Sequence, residues 1–166
     1  MALSPTNNNA AFSSSIGTNK YYWSLAFWYR RPATLNENCI LCYMNSRSAY
    51  HQTVNGIAIA GQAPTNVFTP ASGDWSYVAL VMSNTNLSLY CWTDTSGSTP
   101  TTVTLNASLA GTSGLVRLAG RDGYSYSMNG GEFLHLRVWE GSNSSTGVRS
   151  TAELDALGLS TSCSAS

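Results

Sequence analysis

The chain has 166 residues, 43% hydrophobic and 11% aromatic, enough for one domain with a sizeable core that does not depend on disulfide staples. Eight basic residues balance eight acidic ones, Lys20 is the sole lysine, and charged residues make up 10% of the chain, against about a quarter in an ordinary domain. That balance excludes the basic footprint of a nucleic-acid or anionic-membrane binder. No apolar run reaches membrane-spanning length, so no membrane insertion is expected, and no signal peptide is visible at the start. Ser, Thr and Asn supply the polar surface, as on extracellular and virion-surface proteins.

Residues 1–19 read as a polar lead. Residues 21–31 alternate as a strand, with Trp23, Leu25, Phe27 and Tyr29 on one face and Tyr22, Ser24, Ala26 and Trp28 on the other. Pro32 ends it, since proline cannot donate to a ladder. Strands are predicted at 39–44 and, after the turn signal Asn55-Gly56, at 57–60; a short one at 67–68 precedes a loop at 71–74. The strongest signal is the hairpin of 75–82 and 87–92 around a polar turn, with Trp75 as its anchor. Strands at 102–105 and 115–119 follow, then a turn at Asp122-Gly123 and a long strand at 132–139.

One helical turn is predicted at 151–157. Ser150 and Glu153 have capping-box spacing, Leu154 and Leu157 form the apolar stripe, and Gly158 suits the stop. Many short strands with one late helix predict an all-β protein, an antiparallel β-sandwich of jelly-roll type with one short C-terminal helical turn. The domain spans 20–158, and 159–166 is a polar tail.

Four cysteines occur: Cys39, Cys42, Cys91 and Cys163. Cys39 and Cys42 have zinc-knuckle spacing but no second pair to match it. Residues i and i+3 of a regular strand lie on opposite faces, so both read as small apolar core thiols. A Cys42–Cys91 disulfide is left open.

The order of segments resembles a laminin-G-like domain of the concanavalin A-like lectin and glucanase superfamily. The resemblance rests on the aromatic strand 22–29, on Gly73-Asp74-Trp75 with Val78 to Leu80 and Leu89-Tyr90, on Leu118-Ala119-Gly120 with the closing strand 131–139, and on the helical turn with Glu153. Where that family often carries an acidic pair in the closing strand, this chain has Leu134 and His135. The resemblance implies a sandwich shared by lectins, adhesion modules, enzymes and virion proteins.

The eight acids (Glu37, Asp74, Asp94, Asp122, Glu132, Glu140, Glu153 and Asp155) form no alternating triplet able to flank a glycosidic bond. His135 and Arg137, read as sharing a face with Phe133 and Trp139, lack a second catalytic group. The chain has no Gly-x-Ser-x-Gly nucleophile elbow, and its two histidines lie too far apart in sequence for a three-ligand zinc site. The expectation is therefore a protein that is not an enzyme and has no cofactor except calcium, for which Asp74, Asp94 and Asp122 are the weak ligand candidates. Asn86, Asn106 and Asn143 match the glycosylation pattern and read as turn and strand residues.

Glycan binding needs an aromatic platform with amide, hydroxyl and charged groups around it. Three loops offer this: Arg121, Asp122, Tyr124 and Tyr126; Trp92 and Asp94; and Tyr50 and His51 with Gln52. The reading is a non-catalytic recognition module, a lectin binding a surface glycan weakly and multivalently, possible as a homo-oligomer. The alternative is a structural virion protein, a phage capsid decoration or tail component held by viral or cell-surface protein neighbours. A polysaccharide lyase is the third reading. Either of the first two places the protein outside the cell or on a virion surface.

Overall fold

Two antiparallel five-stranded sheets form the computed structural model, which describes residues 12–15, 22–33, 39–44, 47–52, 56–59, 70–84, 86–93, 101–106, 115–118 and 131–160. The first sheet runs β10 (Glu132–Glu140), β2 (Tyr22–Arg30), β6 (Trp75–Ser83), β7 (Asn86–Thr93), β8 (Thr101–Asn106). The second runs β1 (Phe12–Ser15), β9 (Leu115–Leu118), β3 (Cys39–Met44), β4 (Arg47–Gln52), β5 (Gly56–Ile59). Two helices follow β10: α1 (Ser144–Gly147) and α2 (Thr151–Ser160). This is the all-β antiparallel sandwich with a short C-terminal helix that the strand spacing predicts. The hairpin forms as read, pairing from Ser76↔Thr93 to Ser83↔Asn86 around Asn84 at φ 58°. The predicted strand at 67–68 lies outside the described residues. β1 falls within the segment read as a polar lead and pairs with β9.

Burial along β2 and β6 is continuous, covering every residue from Trp23 to Tyr29 and from Trp75 to Met82. Such strands are covered on both faces. Directly paired residues share a face, so Leu25 with Leu80 and Phe27 with Val78 mark the side turned to the second sheet. There Phe133 packs on Phe27 and Tyr29, at 5.7 and 5.6 Å between ring centroids. The opposite side carries Ala26, Trp28, Tyr77, Ala79 and Val81, with Trp28 and Tyr77 at 5.3 Å, and Leu154 of α2 closes over it. Val148 and Leu157 complete that cover. The first sheet is thus a middle layer between the second sheet and the helices.

The helix begins as its sequence dictates. The Ser150 amide donates to Glu153 Oε2 at 2.8 Å and the Glu153 amide to Ser150 Oγ at 3.3 Å, a reciprocal capping box. Its end differs from the reading: Gly158 lies inside α2, and a Cβ there would stand 2.9 Å from Tyr77 Cδ1, so this glycine lets the helix approach the sheet. Gly147 serves the same close approach at α1, where a Cβ would meet the Tyr22 carbonyl oxygen at 2.2 Å.

Hydrogen bonds from the Ser150 amide first, then from its hydroxyl and the Arg149 guanidinium, hold the Glu153 carboxyl below its usual range despite some desolvation. A depressed folded-state pKa stabilises above the unfolded pKa and is lost as pH falls through the folded one. Glu153→Gln is therefore expected to melt below the parent at neutral pH. The difference in Tm should vanish on acidification past the folded pKa; a pH-independent difference would show that charge is irrelevant to the cap.

Ser24 joins the helical segment to the sheet. Its fully buried hydroxyl donates to the Gly147 carbonyl at 3.0 Å and accepts from the Arg149 amide at 2.8 Å. Ser24→Ala is expected to lower the unfolding free energy by about 1–3 kcal/mol, because both backbone groups lose their partner. An unchanged urea midpoint would mean that water replaces the hydroxyl.

Candidate functional site

Both faces of the first sheet's central strands, β2 and β6, are covered; the register of the second sheet fixes which of its residues share a face. β4 shows no bulge against β5, so residues 48, 50 and 52 share one face and 47, 49 and 51 the other. Pairing extends this division across the sheet. Ala49 is registered with Cys42 and Ile59, Cys42 with Leu118, and Leu118 with Phe12, a set of apolar positions suited to the inner side. On the other face Ser13 pairs with Arg117, Arg117 with Tyr43 and Tyr43 with Ser48, one continuous row across four strands. Tyr50 lies two residues along β4 from Ser48, a diagonal neighbour of Tyr43 at a separation of roughly 7–8 Å.

Two tyrosines, an arginine, serines and Gln52 thus share one sheet face. Such a set combines aromatic surface for the C–H faces of sugars, hydroxyl and amide groups for their oxygens, and a planar guanidinium suited to paired oxygens.

Sequence reasoning placed Tyr50 and His51 together in a loop. The structure puts both in β4, on opposite faces. Trp92 stands in β7, registered with Tyr77, on the covered sheet. Asp94, Arg121, Asp122, Tyr124 and Tyr126 lie outside the described residues. Asp74 is exposed in a turn, its amide 3.3 Å from the Ala71 carbonyl and its neighbour Gly73 at φ 85°. Among the described residues no group of three or more His, Cys, Asp or Glu side chains stands ready to hold a metal ion. Cys91 is a buried thiol, and burial pushes its pKa far up. Asn143 caps α1, its Oδ1 accepting from the Ser145 amide at 3.1 Å.

The expected grouping of His135 and Arg137 with Phe133 and Trp139 is corrected by a bulge. The β10–β2 register slips between Leu134 and Arg137, with exposed His135 at φ 53°. The extra residue inverts the parity beyond it. Phe133 pairs with Tyr29 on the inter-sheet side, whereas Arg137 pairs with Ala26 and Trp139 with Ser24 on the helix side. Burial pushes the Tyr77 phenol up to about 12, opposed by the charge of Arg137. Nearby cations are engaged elsewhere: Arg149 lies 5.6 Å over Trp139 and 3.1 Å from Glu153. Arg30 stacks 5.5 Å over Trp75 and pairs with Glu132.

No family model and no curated protein matches the chain. Solved structures do. The enzymatically active domain of tailspike protein 2 from bacteriophage CBA120 matches with TM-score 0.65 and 13% identity over 90% of this chain and 25% of that one. A Trypanosoma rangeli sialidase, in complex with 2,3-difluorosialic acid, matches at 0.62 and 11% over 84% and 23%. Domain 4 of AbnA, a GH43 extracellular arabinanase from Geobacillus stearothermophilus, in complex with arabinotriose, matches at 0.55 and 14% over 86% and 68%. The chain thus spans about a quarter of the tailspike and sialidase chains.

At these identities the likenesses show the fold alone, a β-sandwich. They also correct the expectation that the chain is not an enzyme, since the structures that share its fold come mostly from enzymes. The absence of alternating acids on one strand does not decide the matter, because the shared sandwich is 23% of the sialidase chain. No helix among the described residues is long and apolar enough to cross a membrane.

Proposed function

We propose that this chain is a carbohydrate-recognition sandwich of laminin-G-like type, comprising residues 12–160, that binds a surface glycan on the outer face of its second sheet. The observation that carries this reading is the row Ser13, Arg117, Tyr43 and Ser48 with Tyr50 beside it. The arabinotriose held by the arabinanase domain supports the ligand class. A single site of this kind binds weakly, on the order of a millimolar dissociation constant, so useful binding needs several copies in an oligomer or a larger assembly. Its place of action is outside the cell or on a virion surface. The likeness to a phage tailspike favours a second reading, a tail component whose partners are neighbouring virion proteins.

The test is size-exclusion chromatography with light scattering, followed by a glycan array on each resolved species, with and without EDTA. Reproducible hits that free oligosaccharide displaces are expected. Loss of the hits in EDTA would assign calcium to the site. A species silent on the array overturns the glycan reading in favour of the tail component.

A further inference from the structure

We propose that Arg137, with Trp139 beside it on β10, anchors the carboxylate of an acidic sugar on the helix side of the first sheet. The placement begins with the backbone. His135 and Leu136 stand against the single residue Phe27 of β2, between the pairs Leu134↔Trp28 and Arg137↔Ala26. His135 takes φ 53°, a left-handed conformation that strains a residue other than glycine. It is exposed, so burial of its own side chain does not offset that strain. What the bulge achieves lies beyond it. A regular strand would send residues 137 and 139 to the side of Phe133, between the sheets. The extra residue turns both to the helix side instead. Bulges that re-aim side chains in this way are frequent beside functional sites.

Arg137 reaches that side without a partner. Among the described side chains the other arginines are all engaged. Arg30 holds Glu132 and the Trp75 ring, Arg31 the Pro70 carbonyl at 2.8 Å, and Arg149 Glu153, the Thr146 carbonyl and the Trp139 ring. Arg137 has neither hydrogen bond nor ion pair among the described residues. Glu132 and Glu153 are held by Arg30 and Arg149, and Glu140 is registered with Trp23 on the inter-sheet side. Yet Arg137 is only partly exposed, and a half-buried guanidinium without an anion has lost hydration that nothing replaces. Cover is continuous over β2 and β6 but partial along β10, which leaves the edge of this face open to a ligand. Ala26 and Ala79, its neighbours along the row, carry only methyl groups, and the Tyr77 phenol feels its charge. Trp139, two residues on and on the same face, is half-buried against the helix-side cluster. A planar guanidinium fork beside an indole suits a ligand with a carboxylate and an adjoining C–H surface. A uronate has both; a neutral sugar lacks the charge, and a simple carboxylate lacks the ring. The site lies on the first sheet and stands apart from the row on the second.

The experiment titrates the isotope-labelled full chain with glucuronate, glucose and acetate, following assigned side-chain resonances by nuclear magnetic resonance. The Arg137 Nε–H and Trp139 indole N–H signals are expected to shift saturably with glucuronate. Glucose and acetate should each bind about tenfold or more weakly, one missing the charge-assisted hydrogen bonds and the other the ring contact. Arg137→Gln should lose about tenfold or more of the glucuronate affinity, and Arg137→Lys, which keeps the charge without the fork, should recover only part. No saturable shift with glucuronate in the parent chain overturns the site, and so does a shift confined to other residues. Equal affinity for acetate overturns the sugar assignment and leaves a simple anion contact. These readings come from the parent chain and hold even where a variant does not fold. They are also separate from the array, since a chain whose second-sheet row binds no glycan should still bind glucuronate here.

Discussion

Trp28→Ala is expected to lower the unfolding free energy by about 3–5 kcal/mol, the usual cost of emptying a large aromatic site that cannot collapse. Trp28 is 2% exposed and lies in β2, the strand flanked by β10 and β6. Its ring packs at a tilt against Tyr77, and the same cluster holds Leu154, the residue through which α2 docks. The truncation therefore removes more than transfer energy, because the helix loses the floor it rests on. Trp28→Phe, which refills part of the volume, should recover part of the loss. The check is a urea titration read by both fluorescence and far-ultraviolet circular dichroism. A shift of the midpoint with unchanged slope reports stability alone. A loss below about 1 kcal/mol would mean that the helix layer is not held through this cluster.

Legibility in the sequence followed the range of the signal. The capping box was readable because Ser150 and Glu153 meet within one turn, and the 75–92 hairpin because its strands are long and joined by a short polar turn. The apolar face 23–29 was readable as well, but Ala26 and Trp28 gave no sign that a helix would cover the other side. Gly158 misled, since a glycine after an apolar stripe signals a stop, whereas here it is a contact with Tyr77. The bulges were hidden. In β10 the left-handed residue is His135, not a glycine, so no composition marked it. In β3 the insertion falls within Ile40-Leu41-Cys42, which reads as uninterrupted strand. Each bulge inverted a parity argument. β4 was missed because Arg47–Gln52 alternates too faintly: its inner positions are Arg, Ala and His, and its outer ones Ser, Tyr and Gln. With β4 unseen, Tyr43 and Arg117 could not be joined to Tyr50.

Neighbouring substitutions in β4 are expected to give opposite results. Tyr50→Ala should weaken glycan binding at least tenfold, to below array detection, with little change in Tm, because residue 50 belongs to the row face with Tyr43 and Arg117. His51→Ala should leave glycan binding intact, since the alternation of a strand sends residue 51 to the other side. Arg117→Lys sharpens the comparison: the charge stays but the planar fork is lost, and a site that reads paired oxygens should weaken while a merely electrostatic one should not. The measurement is affinity on the best array hit, by titration of immobilised glycan, beside thermal melts of each variant. Binding lost equally in Tyr50→Ala and His51→Ala would refute the face assignment. Binding kept in Tyr50→Ala and Arg117→Lys but lost in Tyr124→Ala would move the site to the loop at 121–126. The contrast rests on one geometric fact: two adjacent residues of a strand cannot both face the same ligand.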